Sequence, residues 1–239
     1  MKPVDYRTTP SNGGGSSAIW GQANVLEGLR PGGGVHYYFS DFNEGVGGWE
    51  VTQATAGTMT ADNTGATLQA LVDCGSTTAT QGANCQLGLQ VKPVKGTKIC
   101  FEARVKVEDS ATGPELFVGL AELDTSIVAS SAVSTANHVG FSSITDNNVL
   151  LFNAEKATAG STEASTTLVE STFVNLGFVI DGTDSVTQYV NGVETGSGFT
   201  SANIPIVALA PSLVCQSGGT TDPILHVDWI GCYQSIKQL

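Results

Sequence analysis

Between Phe173 and Gly196 the chain reads FVNLGFVI-DGTDS-VTQYV-NG-VETG, and this stretch constrains the fold more than any other. Asn191-Gly192 lies between Val190 and Val193. That is the strongest short-range hairpin signal a sequence offers, because a two-residue type I′ turn needs φ > 0 at both central positions. Asp181-Gly182 supplies a looser turn before it. Three antiparallel strands in a meander are the expectation here.

The pattern extends along most of the chain. In KICFEARVKV (98–107) the residues Ile99, Phe101, Ala103, Val105 and Val107 are apolar and alternate with Glu102, Arg104 and Lys106. Period two over this length means one buried face and one wet face. Residues 225–233 repeat it, which predicts Leu225, Val227, Trp229 and Tyr233 on one face and His226 and Asp228 on the other. LFVGLA (116–121) is apolar on both faces, as suits a strand covered on both sides. Further strands are expected at 35–40, 49–53, 57–61, 66–72, 86–91, 138–144, 149–155, 165–170 and 205–214. Helix formers are sparse and Gly is abundant (29 of 239 residues), so the fold class expected is all-β, two packed antiparallel sheets in a jelly-roll sandwich. A sandwich of roughly 200 residues commonly folds as one domain.

Residues 1–34 differ from the rest. Two Gly-Gly-Gly clusters and three prolines surround an apolar island made of Ile19, Trp20, Val25, Leu26 and Leu29. The reading is a Gly/Pro-rich N-terminal arm ahead of a jelly-roll domain at 35–239. The island docks either onto a partner or back along its own domain.

Charge excludes some functions. Lys+Arg is 10 against Asp+Glu 22, a formal net charge of −12, so the chain repels phosphate backbones and no nucleic-acid partner is expected. No apolar core follows Met1-Lys2-Pro3, so no secretory signal is expected. The longest apolar run, Ile204 to Val214, contains two prolines and falls short of the ~20 residues that a membrane span requires.

The chain offers little reactive chemistry. Glu122-Leu123-Asp124 resembles the alternating carboxylates of laminarinase-type sandwich glycosidases, but the second glutamate of that pattern is missing. Retaining hydrolysis needs two carboxyl groups about 5–5.5 Å apart. No G-x-S-x-G occurs, and the three histidines (36, 138, 226) fall on different expected strands. Five cysteines read as buried thiols, with Cys74–Cys85 and Cys215–Cys232 as the alternative bridges. Asp146-Asn147-Asn148 and Asp181-Gly182-Thr183-Asp184 read as Asx turns rather than calcium loops. Trp49 and Trp229 are expected in the core, and no loop gathers aromatics for sugar stacking. No catalytic residue, metal or cofactor is therefore assigned, and the chain is expected not to be an enzyme.

Residues 36–239 also resemble a family. Phe39-Ser40-Asp41-Phe42 running to Trp49, Phe101 to Val107, Phe117 to Ala121 with Asp124, Val139-Gly140-Phe141, Leu176-Gly177-Phe178, Tyr189 to Gly192 and Leu225 to Ile230 follow one another in the order seen in concanavalin A-like (laminin G-like) jelly-roll proteins encoded among tailed-bacteriophage structural genes. The resemblance implies a capsid decoration or cement protein on the outer surface of the virion, assembled in the host cytoplasm. Its partners would be the major capsid protein and itself, as a homodimer or homotrimer. It transfers no active site. The alternative carried with it is a lectin-like carbohydrate-binding module on a virion head or tail fibre, or on a cell-surface protein.

Overall fold

The computed structural model describes residues 17–21, 34–54, 56–63, 68–108, 113–129, 131–144 and 148–236. A four-residue helix, α1 (Ser17–Trp20), precedes β1 (Gly34–Ser40), β2 (Trp49–Ala54), β3 (Thr58–Asp62), β4 (Gln69–Asp73), β5 (Gly82–Leu87), β6 (Lys98–Glu108), β7 (Glu115–Ala121), β8 (Val128–Ala129) and β9 (Ala132–Val133). The chain continues with β10 (His138–Ser143), β11 (Val149–Lys156), β12 (Ala159–Thr167), β13 (Val174–Asp181), β14 (Ser185–Val190), β15 (Val193–Thr200), β16 (Ala210–Gln216) and β17 (Ile224–Ile236).

Two large antiparallel sheets result. Sheet A runs β15-β14-β13-β6-β17-β4-β3, and β1 pairs with the second half of β17. Sheet B runs β12-β11-β10-β7-β16-β5-β2. Neighbours in both sheets are mostly distant in sequence, as in a jelly roll. The expected meander is β13-β14-β15. Asn191 (φ 50°) and Gly192 (φ 76°) form its tight turn, and the Asn191 carboxamide accepts from the Asn175 amide at 2.9 Å.

The inner faces meet in a phenylalanine-rich core. Phe101 stacks on Phe178 at 4.9 Å, Phe152 stacks on Phe199 at 5.4 Å, and Phe141 lies 4.9 Å from Phe152. Glu163 on edge strand β12 ties the sheets together. Its carboxylate accepts from the Gln188 side chain (2.7 Å) and from the amides of Ser197 (3.0 Å) and Gly198 (3.1 Å).

Several expectations shift. β5 begins before 86, because GANC is held by pairing with β2 and β16 on either side, against its poor strand propensity. Sheet B's edge strand covers 159–167 rather than 165–170, and Pro205 keeps 204–207 out of β16. The largest correction concerns β17. A bulge between Val227 and Trp229 reverses the alternation, so Leu225, Val227, Ile230 and Cys232 face the core while Trp229 and Tyr233 turn outward. All five cysteines are buried free thiols.

Candidate functional site

The outer face of sheet B is closed by the chain itself. Phe117 points outward from β7 and lies across Gly119 and Gly140, where an added Cβ would meet its ring tip at 3.1 and 2.7 Å. His138 sits edge-on to that ring with centroids 5.6 Å apart. The β7–β10 connection, carrying the β8–β9 hairpin, folds over this floor, and Ile127 and Val128 pack against Phe117, Ala121 and Val214.

Polar side chains rising from the sheet pin the connection down. Gln86 donates to the Glu122 carbonyl (3.1 Å) and accepts from the Asp124 amide (2.9 Å). Asn84 donates to the Asp124 carbonyl at 2.8 Å and Gln216 to the Val128 carbonyl at 2.9 Å. The carboxylates of the near-glycosidase motif are used in the same way. Glu122 accepts from the Asn137 side chain (2.8 Å), and Asp124 accepts from the Ser126 amide (2.9 Å) and the Ser134 hydroxyl (3.0 Å). Their bonds shape a loop.

The outer face of sheet A is arranged differently. Across it, in register, run Tyr189, Gly177, Glu102, Gly231 and Phe39; the next row is Val179, Cys100, Tyr233 and Tyr37. The two glycines on either side of Glu102 make a trough. Helix α1 lies in it, with Ile19 over Gly177 and the Trp20 indole over Gly231, where an added Cβ would come within 2.7 Å of the ring. Ile19 is fully buried among Cys100, Val179, Tyr189 and Tyr233. The Trp20 indole N–H donates to the fully buried Glu102 carboxylate at 2.6 Å.

Beside this trough stands an aromatic ridge. Tyr37 and Phe39 are 51% and 47% exposed, two residues apart on one face of β1, and each touches a tryptophan. Phe39 stacks on buried Trp229 (6.1 Å, 27° between planes), and Tyr37 meets Trp20 edge-on (6.5 Å, 81°). Arg104, opposite Trp229 in register, pairs with Asp228 at 2.5 Å and lies 4.2 Å over the Phe173 ring. The expectation that no loop gathers aromatics concerned loops alone; the exposed aromatic pair lies on a strand, and Tyr37 and Phe39 at i and i+2 in VHYYFS were its signal in the sequence.

The other polar groups read as structural. Burial pushes the Cys74, Cys85 and Cys100 thiols up to about 12, so they remain neutral and unreactive. Asp73, Cys74 and Asp222 bring three possible ligand atoms within 4.8 Å of one another. The Cys74 thiol donates to Asp222 at 2.9 Å, a proton that any cation would have to displace. Asp181 pairs with Lys98 at 3.2 Å, and its carbonyl accepts from the Asp184 amide at 3.0 Å, an ordinary turn. Asp146 and Asn147 lie outside the described residues. His226 is buried, with its ring nitrogens 3.2 Å from Gln69 and 3.2 Å from Glu108.

Of the residues expected to dock the arm, Ile19 and Trp20 are seated on their own domain, while Val25, Leu26 and Leu29 lie outside the described residues.

No protein-family model matches the chain, and no curated protein does. Solved structures do. Peanut lectin shares 12% identity at a TM-score of 0.59, over 85% of this chain and 99% of its own. The seed lectin of Lotus tetragonolobus shares 8% at 0.60, over 85% and 100%. An endo-1,3-β-glucanase from Streptomyces sioyaensis shares 11% at 0.56, over 86% and 98%. Such identities show the fold, a concanavalin A-like jelly roll of the lectin and glucanase type. They also correct the expectation of a viral, capsid-cementing protein, because these neighbours are lectins and a glucanase and none is a phage protein. The ordered pieces behind that expectation, Phe101–Val107, Phe117–Ala121 and Leu225–Ile230, are largely core strands that the shared architecture itself selects.

Proposed function

We propose that the chain is a non-catalytic, lectin-like carbohydrate-binding module that holds glycan on the outer face of sheet A. One observation carries the reading: two half-exposed aromatic rings two residues apart on β1, Phe39 stacked on Trp229 and Tyr37 in edge contact with Trp20. Aromatic faces take the apolar C–H surface of a sugar ring, and rings held in place lose little freedom on binding. The lectins among the fold neighbours support the reading without locating the site. The commitment of Glu122 and Asp124 to loop hydrogen bonds supports a binding role over glycosidic cleavage. A net charge of −12 favours neutral glycans over acidic ones.

A glycan array followed by titration tests this. The full chain is expected to bind neutral oligosaccharides. The double substitution Tyr37→Ala/Phe39→Ala should weaken that binding at least about tenfold, a loss of about 1.4 kcal/mol or more. Its melting temperature should move little, since both side chains are half exposed. Silence across the array, or binding that the double variant retains, overturns the assignment.

A further inference from the structure

We propose that docking of Ser17–Trp20 in the Gly177/Gly231 trough assembles the glycan-binding ridge, so that the N-terminal segment and the ligand are thermodynamically linked; this rests on the glycan reading above. Tyr37 has Trp20 at its edge, and the Gly231 floor is shared by Trp20 and Phe39, whose ring edge would stand 3.6 Å from an added Cβ there. With α1 absent, Tyr37 and Phe39 would border an empty groove and regain rotamers that ligand binding must then freeze. The seat is built for this occupant. Gly177 and Gly231 leave the space, Ile19 is fully buried as an anchor, and Glu102 accepts the indole N–H at 2.6 Å. Ile19 and Glu102 are thus positioning residues, acting on the ligand through Trp20.

Linkage makes the effect reciprocal: whatever factor α1 docking contributes to glycan affinity, glycan contributes to α1 docking. Loss of pre-organisation in two or three aromatic side chains corresponds to about tenfold in Kd.

The test titrates laminarihexaose and cellohexaose into the full chain and into Ile19→Ala, Glu102→Ala and Glu102→Gln. Hydrogen exchange over residues 17–20 is followed with and without sugar. Ile19→Ala and Glu102→Ala are expected to weaken binding about tenfold, whereas Glu102→Gln, which keeps an acceptor for the indole, stays within about threefold. Sugar should slow exchange at 17–20 in the wild type, and less so in Ile19→Ala. Thermal denaturation shows that each variant is folded. If Ile19→Ala binds as tightly as the wild type while Tyr37→Ala/Phe39→Ala does not bind, the ridge stands and the linkage is overturned. If the wild type binds neither sugar and the array is silent, the glycan reading fails and the linkage with it.

Discussion

The two outer faces of the sandwich use the same materials, paired glycines, an aromatic ring and hydrogen-bonded carboxylates, to opposite ends. On sheet B, Gly119 and Gly140 make room for Phe117, a side chain of the same sheet, and the β8–β9 hairpin seals it over. On sheet A, Gly177 and Gly231 make room for Ile19 and Trp20, which come from far off in sequence, and the aromatic rings beside them stay half exposed. One face buries what it carries. The other presents it. The difference shows that a jelly roll's outer faces are not equivalent surfaces: the one whose cover is continuous with its own strands becomes a second core, and the one covered by a short separate segment keeps a usable edge.

The comparison breaks most directly at Phe117. If sheet B's outer face is a true minor core, Phe117→Ala should cost about 3–5 kcal/mol in urea denaturation and leave glycan affinity unchanged. A loss near zero would mean that the hairpin is only draped over the sheet. Asp124→Ala sharpens the same point with a smaller effect. It removes three hydrogen bonds to a partly exposed carboxylate, costing about 1–2 kcal/mol, and it too should leave sugar binding intact. Were Asp124→Ala instead to abolish turnover of a β-glucan by the wild-type chain, the non-catalytic reading would be wrong.

Much of this contrast was legible in the sequence, though unevenly. The alternation in 98–107 and the double-sided apolar run 116–121 mark β6 and β7, because neither strand itself takes an extra residue, although Glu102 on the expected wet face of β6 is buried beneath α1. The β13–β15 meander follows from Asn191-Gly192 for the same local reason. Legibility ends where a single extra residue intervenes. The bulge at Val227/Trp229 moves Trp229 and Tyr233 from the expected inner face to the outer one, and with them the backing of the ridge. The trough was equally hidden, since Gly177 and Gly231 are 54 residues apart and become neighbours only through Glu102 on β6. The apolar island of the arm was visible as an oddity, but sequence could not choose between a partner and its own domain for Ile19 and Trp20.

The faintest difference between the faces should appear in acid. His138 on sheet B and His226 on sheet A are both buried, and burial, which disfavours the imidazolium, holds each below the usual value of 6.5. Around His138 only the Ala136 carbonyl pulls the other way. Around His226, Lys106 adds to the depression, while Glu108, itself held low by its bond to Lys106, and Asp62 oppose it. Between each folded value and 6.5 the unfolded chain binds more protons than the native one, so stability rises with pH across that window and is fully present above it. Chemical denaturation from pH 7.5 downward should therefore show stability falling as pH drops below about 6.5. His138→Gln should flatten the decline more than His226→Gln, because among the described residues no carboxylate pairs with the His138 ring as Glu108 does with His226. Equal flattening by the two variants would mean that the closed face is no drier around its histidine than the ion-paired one, and the contrast between the faces would then rest on packing alone.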